Sequence, residues 1–174
     1  MRASLLYRVL VMVILSIAIV GCSSSKSTTA GSYEDVSKNA IEKEARKWIG
    51  TKYKYGGNTH KGVDCSGLVV EVFNSALGIK LPRTSAAQQK YCKVIKKKEL
   101  VSGDLLFFAT GKKKKKVNHV GIYIGKGEMI HSSSSKGVII SKIDDAYYKR
   151  TYISSGRIEK AYKKLHKKGK NSKD

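Results

Sequence analysis

The chain has 174 residues, 41% of them hydrophobic and 28% charged, with a formal net charge of +22 at pH 7. This length and balance fit one folded domain with a real core, not several. The basic excess calls for a polyanionic partner, and nucleic acid, the usual first candidate, is set aside by the way the chain begins.

Arg2 and Arg8 precede an apolar run from Val9 to Val20, followed by Gly21, Cys22 and a Ser/Thr-rich stretch. That is the order of a secretory signal peptide, and the run falls short of the roughly 18 to 20 residues that span a bilayer. Ile19-Val20-Gly21 before Cys22 resembles the lipobox of bacterial lipoproteins. On this reading residues 1–21 are a signal peptide, Cys22 is the acylated first residue of the mature chain, and 22–33 form a flexible tether. The rival is an ordinary signal with Cys22 incidental. Acyl chains contribute about 0.8 kcal/mol per buried CH₂, so several of them hold a protein to a membrane persistently. Ser23 suits outer-membrane sorting, with the protein facing the periplasm or exterior. Export removes nucleic acid as a partner and leaves anionic lipids and envelope polymers for the positive charge, unless that charge is only a solvated face.

From Glu34 to Trp48 the residues Val36, Ala40, Ile41, Ala45 and Trp48 recur with helical spacing, and Gly50 ends the run. A second helix starts at Cys65, with Asp64 as its N-cap, Leu68, Val69, Val72, Phe73, Ala76 and Leu77 on its buried side, and Gly78 as its stop. A shorter helix spans Thr84 to Tyr91. Thereafter short apolar or β-branched segments predict strands at Leu105–Ala109, His119–Ile124, Glu128–Ser132, Gly137–Ser141 and Tyr152–Ile158. Helices first and a sheet after make an α+β domain over 34–159. The lysine run 112–116 falls in a loop and the lysine-rich tail 160–174 follows the domain, both solvated.

With Cys22 acylated, Cys65 and Cys92 remain, in contexts too different to favour a disulfide. Cys92 has no cap or glycine beside it and reads as packing. Cys65 sits at a helix N-terminus, where free N–H groups and the helix dipole favour thiolate and lower the thiol pKa. A thiolate that attacks an amide needs an imidazole to take and return a proton. His60 lies in a polar loop and His166 in the tail, leaving His119 and His131. A hairpin with the three-residue loop Gly125-Lys126-Gly127 pairs Ile124 with Glu128, Ile122 with Ile130 and Gly121 with His131. Val120, Ile122, Ile124 and Ile130 then share one face and His119 lies diagonal to His131 on the other. His119 becomes the base and His131 the group that orients it. Metal binding by Cys65, His119 and His131 is disfavoured because the spacing lacks a compact ligand motif, and no metal or cofactor is expected.

Tyr55-Gly56-Gly57, Asp64-Cys65-Ser66-Gly67, Leu81-Pro82-Arg83-Thr84-Ser85, Gly103-Asp104-Leu105 and His119-Val120-Gly121-Ile122-Tyr123 together resemble the NlpC/P60 family, over about Ala40 to Ile158. The resemblance is greatest to small single-domain murein endopeptidase lipoproteins. It implies a papain-like fold with N-terminal helices on an antiparallel sheet, and cysteine endopeptidase activity on peptidoglycan, either at the D-alanyl cross-link to a diamino acid or between D-glutamate and the diamino acid. It also implies Cys65 as nucleophile, His119 as base, His131 as orienting residue, Tyr55 beside the nucleophile, and Asp64 and Ser66 as substrate contacts, Asp64 being also a cap. The chain departs from the family pattern in its lysine run before Val117 and in having no wall-binding domain ahead of the catalytic one. Rival functions are a papain-like amidase or acyltransferase and a non-catalytic, basic envelope-binding lipoprotein.

Overall fold

A computed structural model describes residues 40–111 and 116–161. The expected signal peptide, Cys22, the expected tether, most of the lysine run and nearly all of the tail lie outside these residues.

Helix α1 occupies 40–46 and passes through turns to Gly50, burying Ile41, Ala45 and Trp48. A small hairpin follows, β1 (Asn58–Thr59) with β2 (Gly62–Val63). Helix α2 (Cys65–Leu77) starts where the sequence places it: the Asp64 side chain accepts from Gly67 N, and Gly78 closes the helix at φ 63° with its N–H on Asn74 O. Leu68, Val69, Val72, Phe73 and Leu77 form its buried side. Helix α3 (Ser85–Tyr91) is capped by Thr84.

The remainder is one antiparallel sheet of β3 (Lys93–Ile95), β4 (Leu105–Phe108), β5 (His119–Gly125), β6 (Glu128–Ser133), β7 (Gly137–Lys142) and β8 (Tyr152–Arg157), in the spatial order β3-β8-β4-β5-β6-β7. Helix α4 (Ala146–Thr151) leads into β8. Alternation along the strands gives the sheet two apolar faces. Leu105, Phe107, Val120, Ile122, Ile124 and Ile130 join α1 and α2 in the main core, while Leu106, Phe108 and Met129 form a smaller cluster with Ile143, against which Tyr148 and Tyr152 pack. This is the expected α+β arrangement, with helices on an antiparallel sheet.

The β5–β6 connection corrects the expected loop. Ile122 pairs with Ile130 as expected, but Gly125, not Ile124, pairs with Glu128. The turn is the two-residue Lys126-Gly127, both at positive φ (51° and 75°), and a bulge between Tyr123 and Gly125 takes up the extra residue. The bulge preserves the register that a plain two-residue turn would have shifted, so all four expected apolar residues stay together in the main core. Strand β3 and helix α4 have no counterpart among the expected elements: β3 is charged and mostly exposed, and α4 buries no residue completely.

Candidate active site

Cys65 begins α2 and is only 8% exposed. Its Sγ lies 3.9 Å from Asn118 O, which joins the head of α2 to the start of β5. Contrary to the expectation from helix position alone, the thiol pKa is raised. Burial is the main cause and the Asp64 charge adds to it, against the N–H groups of Val120, Ser66 and Cys65, which favour thiolate. The resting sulfur is therefore a neutral thiol surrounded by donors ready for a negative charge.

His119 and His131 project from the sheet face opposite the main core, as the register requires. Their rings stand nearly perpendicular, with His119 Nε2 3.0 Å from His131 Nδ1. That contact occupies Nε2 of His119 and leaves Nδ1 as the nitrogen available to a thiol. Gly121 makes the arrangement fit: a Cβ there would come 2.8 Å from Met129 Sδ and 3.3 Å from His131 Cβ. Burial pushes the His119 pKa down to about 4. It pushes His131 down to about 3, with His119 adding to the effect. Both imidazoles are neutral at ordinary pH, so His119 is a proton acceptor and His131 can hold a lone pair toward it.

Two cavities meet at Cys65. One, of about 240 Å³, has Cys65, His119, His131, Ser132 and Tyr148 in its wall, and among the described residues no carboxylate, ammonium or guanidinium lines it. The other, of about 380 Å³, is lined by Cys65, Asp64, Ser66, Arg83, Thr84 and Tyr55 among others. Tyr53 and Asn118 border both. In the second cavity Arg83 grips Asp64 with two parallel bonds, Nη1 to Oδ1 at 2.9 Å and Nη2 to Oδ2 at 2.7 Å. Burial alone would raise the Asp64 carboxyl, but the bonds from Arg83 and from the Gly67 and Gly56 N–H groups hold it below its ordinary value.

The NlpC/P60 family model matches residues 50–157, a span that contains both cavities. The chain belongs to the NlpC/P60 family. It is 43% identical over 119 residues to the "Probable endopeptidase NlpC homolog" of Haemophilus influenzae, covering 68% of this chain and 62% of that one. It is 40% identical over 121 residues to the "Murein DD-endopeptidase MepS/Murein LD-carboxypeptidase" of Escherichia coli K12, covering 70% and 63%. The chain thus spans less than two thirds of the length of either relative. Among solved structures, an NlpC/P60 family protein from Bacillus cereus superposes with a TM-score of 0.65 at 32% identity, over 70% of this chain and 40% of that one.

Within this NlpC/P60 domain the expected site residues among the described ones gather around one cleft, with Tyr55 at its outer rim. Tyr55 is 89% exposed. It follows Lys54 in a turn closed by Gly57 N on Lys54 O, with Gly56 at φ 74°, and this carries it to the rim. The tyrosine beside Cys65 is Tyr53, two residues earlier in an extended stretch that bridges Val63. Its phenol pKa is raised by burial first and by Cys65 next, so it stays a proton donor. Asp64 and Ser66 reach the second cavity with much of their bonding already committed. Both Asp64 oxygens are engaged, and Ser66 Oγ donates to Asp64 Oδ1 at 3.1 Å while accepting from Arg83 Nη1 at 3.0 Å. Asp64 is first a helix cap and the partner of Arg83. The motif containing Arg83 is visible in the sequence, but nothing local announces an ion pair across 19 residues.

Cys92 is buried and unoxidised, like Cys65. Burial, then the Asp104 charge, pushes its thiol up to about 12, in keeping with a packing role. His60, in the β1–β2 turn, stacks on Trp48 at 3.9 Å between ring centres. No group of three or more metal-ligating side chains occurs among the described residues.

Proposed function

We propose that this protein is a cell-wall hydrolase, a cysteine endopeptidase that cleaves peptide bonds in peptidoglycan through a thioester. The observation that carries the proposal is the 3.0 Å contact between His119 Nε2 and His131 Nδ1 in the same cleft wall as the Cys65 thiol. The endopeptidase names of the relatives agree with it.

Cys65 Sγ attacks the carbonyl carbon as its proton passes to Nδ1 of His119, so thiolate forms as it is used. The N–H groups around the sulfur and the phenol of Tyr53, which borders both cavities, are the donors available to the developing oxyanion. The C–N bond then breaks, and the leaving nitrogen takes the proton from His119. Water attacks the thioester, His119 accepts its proton and returns it to sulfur, and a carboxylic acid departs. Because His119 protonates the amine, the leaving half belongs in the histidine cavity and the acyl half beside Asp64, Ser66 and Arg83. The bond is either the D-alanyl cross-link to a diamino acid, as the name of the murein DD-endopeptidase relative suggests, or the D-glutamyl bond, as the names of a DL-endopeptidase and a gamma-DL-glutamyl hydrolase among the relatives suggest.

Cys22 is the proposed lipid anchor, to the outer membrane in an envelope with two membranes, and the lysines meet anionic lipids or envelope polymers. Incubation of purified sacculi with wild-type protein and with Cys65→Ala tests the activity, read by mass analysis of released muropeptides. Wild type releases products whose masses identify the bond, and Cys65→Ala releases none. Equal release by both disproves the assignment. Salt-sensitive binding without cleavage points to the envelope-binding alternative, and acyl transfer to an amine instead of water points to an acyltransferase.

A further inference from the structure

The chain of polar contacts does not stop at His131. In proteases built on a histidine base, the orienting group is commonly a carboxylate or a side-chain amide. Here it is an imidazole, which has two tautomers, and only one works. To accept from His119 Nε2–H, His131 must carry its own proton on Nε2. The opposite tautomer places N–H on Nδ1, forces His119 to carry its proton on Nδ1, and so blocks acceptance from the thiol.

Something must therefore receive His131 Nε2–H, and two hydroxyls lie in place. Ser141 Oγ and Tyr148 Oη are each 3.0 Å from that nitrogen. Ser141 comes from β7 with the register Met129↔Ser141, diagonal to His131↔Ile139 on the same side of the sheet. Tyr148 comes from α4 and is held edge-on against Phe108, with ring centres 5.6 Å apart. His131 is 1% exposed, so water does not readily replace these partners. The two oxygens come from different elements and converge on one nitrogen, which fixes the ring plane and gives an Nε2–H two acceptors.

We propose that Ser141 and Tyr148 are positioning residues that hold His131 in the Nε2–H tautomer and thereby keep Nδ1 of His119 open to the Cys65 proton. The proposal rests on the hydrolase reading above for its kinetic consequence, but the tautomer it assigns stands independently of any substrate. Either hydroxyl can accept the single N–H, so each partly covers the loss of the other.

The test uses the full chain with Tyr148→Phe, Ser141→Ala and the double variant. Tyr152→Phe, which removes a hydroxyl bonded to Ser155 in the same aromatic cluster, serves as the control. A lost hydrogen bond of ordinary strength is worth up to about a tenfold change, so each single variant should lower kcat by at most about that factor with KM unchanged. The double variant should lose more than the product of the two, and the control should match wild type. Nitrogen-15 spectra of the imidazoles at neutral pH should show Nε2–H on His131 in wild type and a mixture of tautomers in the double variant. Wild-type tautomer populations in a folded double variant overturn the proposal. So does a rise in KM at constant kcat, which would make the hydroxyls substrate ligands. If wild type itself cuts no sacculi the hydrolase reading fails, and the spectra still decide the tautomer.

Discussion

The two sides of the Cys65 cleft solve opposite electrostatic problems. On one side Asp64 and Arg83 form a fully ionised pair with parallel hydrogen bonds, anchored further by the Gly56 and Gly67 N–H groups. On the other, two imidazoles and several hydroxyls form a wall that carries no formal charge among the described residues. The charged side fixes the head of α2 and so the position of the thiol. In the proposed reaction the neutral side moves a proton. A permanent charge next to His119 would bias that transfer in one direction, whereas a neutral partner leaves the imidazole free to take the proton and give it back.

Acidification should separate the two sides most clearly. In the fold His119 and His131 stay neutral down to about 4 and about 3, whereas their ordinary value is 6.5. Below 6.5 the unfolded chain takes up protons that the folded chain refuses, so stability falls as pH drops from about 6.5 toward 4 and levels off below the lower histidine value. Asp64, held below its ordinary 3.8, stays ionised in the fold and adds to the same fall only below about pH 5, where the unfolded carboxyl begins to take up a proton. Melting temperatures from pH 7.5 to 4.5 should fall for wild type and fall less for His131→Asn. Equal slopes for the two would mean that the histidine side is not buried neutral.

The charged side is broken by Arg83→Ala, which leaves a buried carboxylate without its cation. Because the guanidinium is 41% exposed, the expected loss is about 2 kcal/mol, below that of a fully buried pair. Chemical denaturation measures it, and Asp64→Asn combined with Arg83→Ala should be less harmful than the two single losses added together. Additive losses would remove the pair from the account.

The smallest expected effects distinguish two neighbouring tyrosines. Tyr53→Phe removes the phenol donor beside Cys65 and should lower kcat about tenfold, the value of one transition-state hydrogen bond. Tyr55→Ala, at the exposed rim, should change kcat by less than about twofold, as surface changes usually do. The reverse order in a muropeptide-release assay would return the role to Tyr55.

Much of this site is legible in the sequence because its parts are local. Asp64, Cys65 and Gly78 mark the start and stop of α2 through capping rules that act within a few residues. The histidine pairing follows from alternation along two neighbouring strands. The hairpin loop misled because Lys126 takes a positive φ that its residue type does not advertise, and a bulge then restored the register. The thiol pKa misled for a related reason: helix position is a local property, but the burial of Cys65 is a property of the whole domain. Tyr148 was out of reach, since α4 has no completely buried residue and so no apolar period to announce it. Arg83 reaches Asp64 only once α2 and α3 have been brought together.

The raised pKa of Cys65 has a consequence beyond peptide chemistry. Peroxides and disulfides react with thiolate far faster than with thiol, and sulfenic acid formation follows the same order. A nucleophile that stays protonated until a carbonyl is in place is poorly reactive toward oxidants while it waits. Cys92 is buried, with a thiol pKa near 12, and gives oxidised sulfur little help as a resolving partner. The burial that keeps the resting thiol protonated should thus also slow its oxidation, which peroxide consumption by Cys65 compared with that of free cysteine at the same pH would measure.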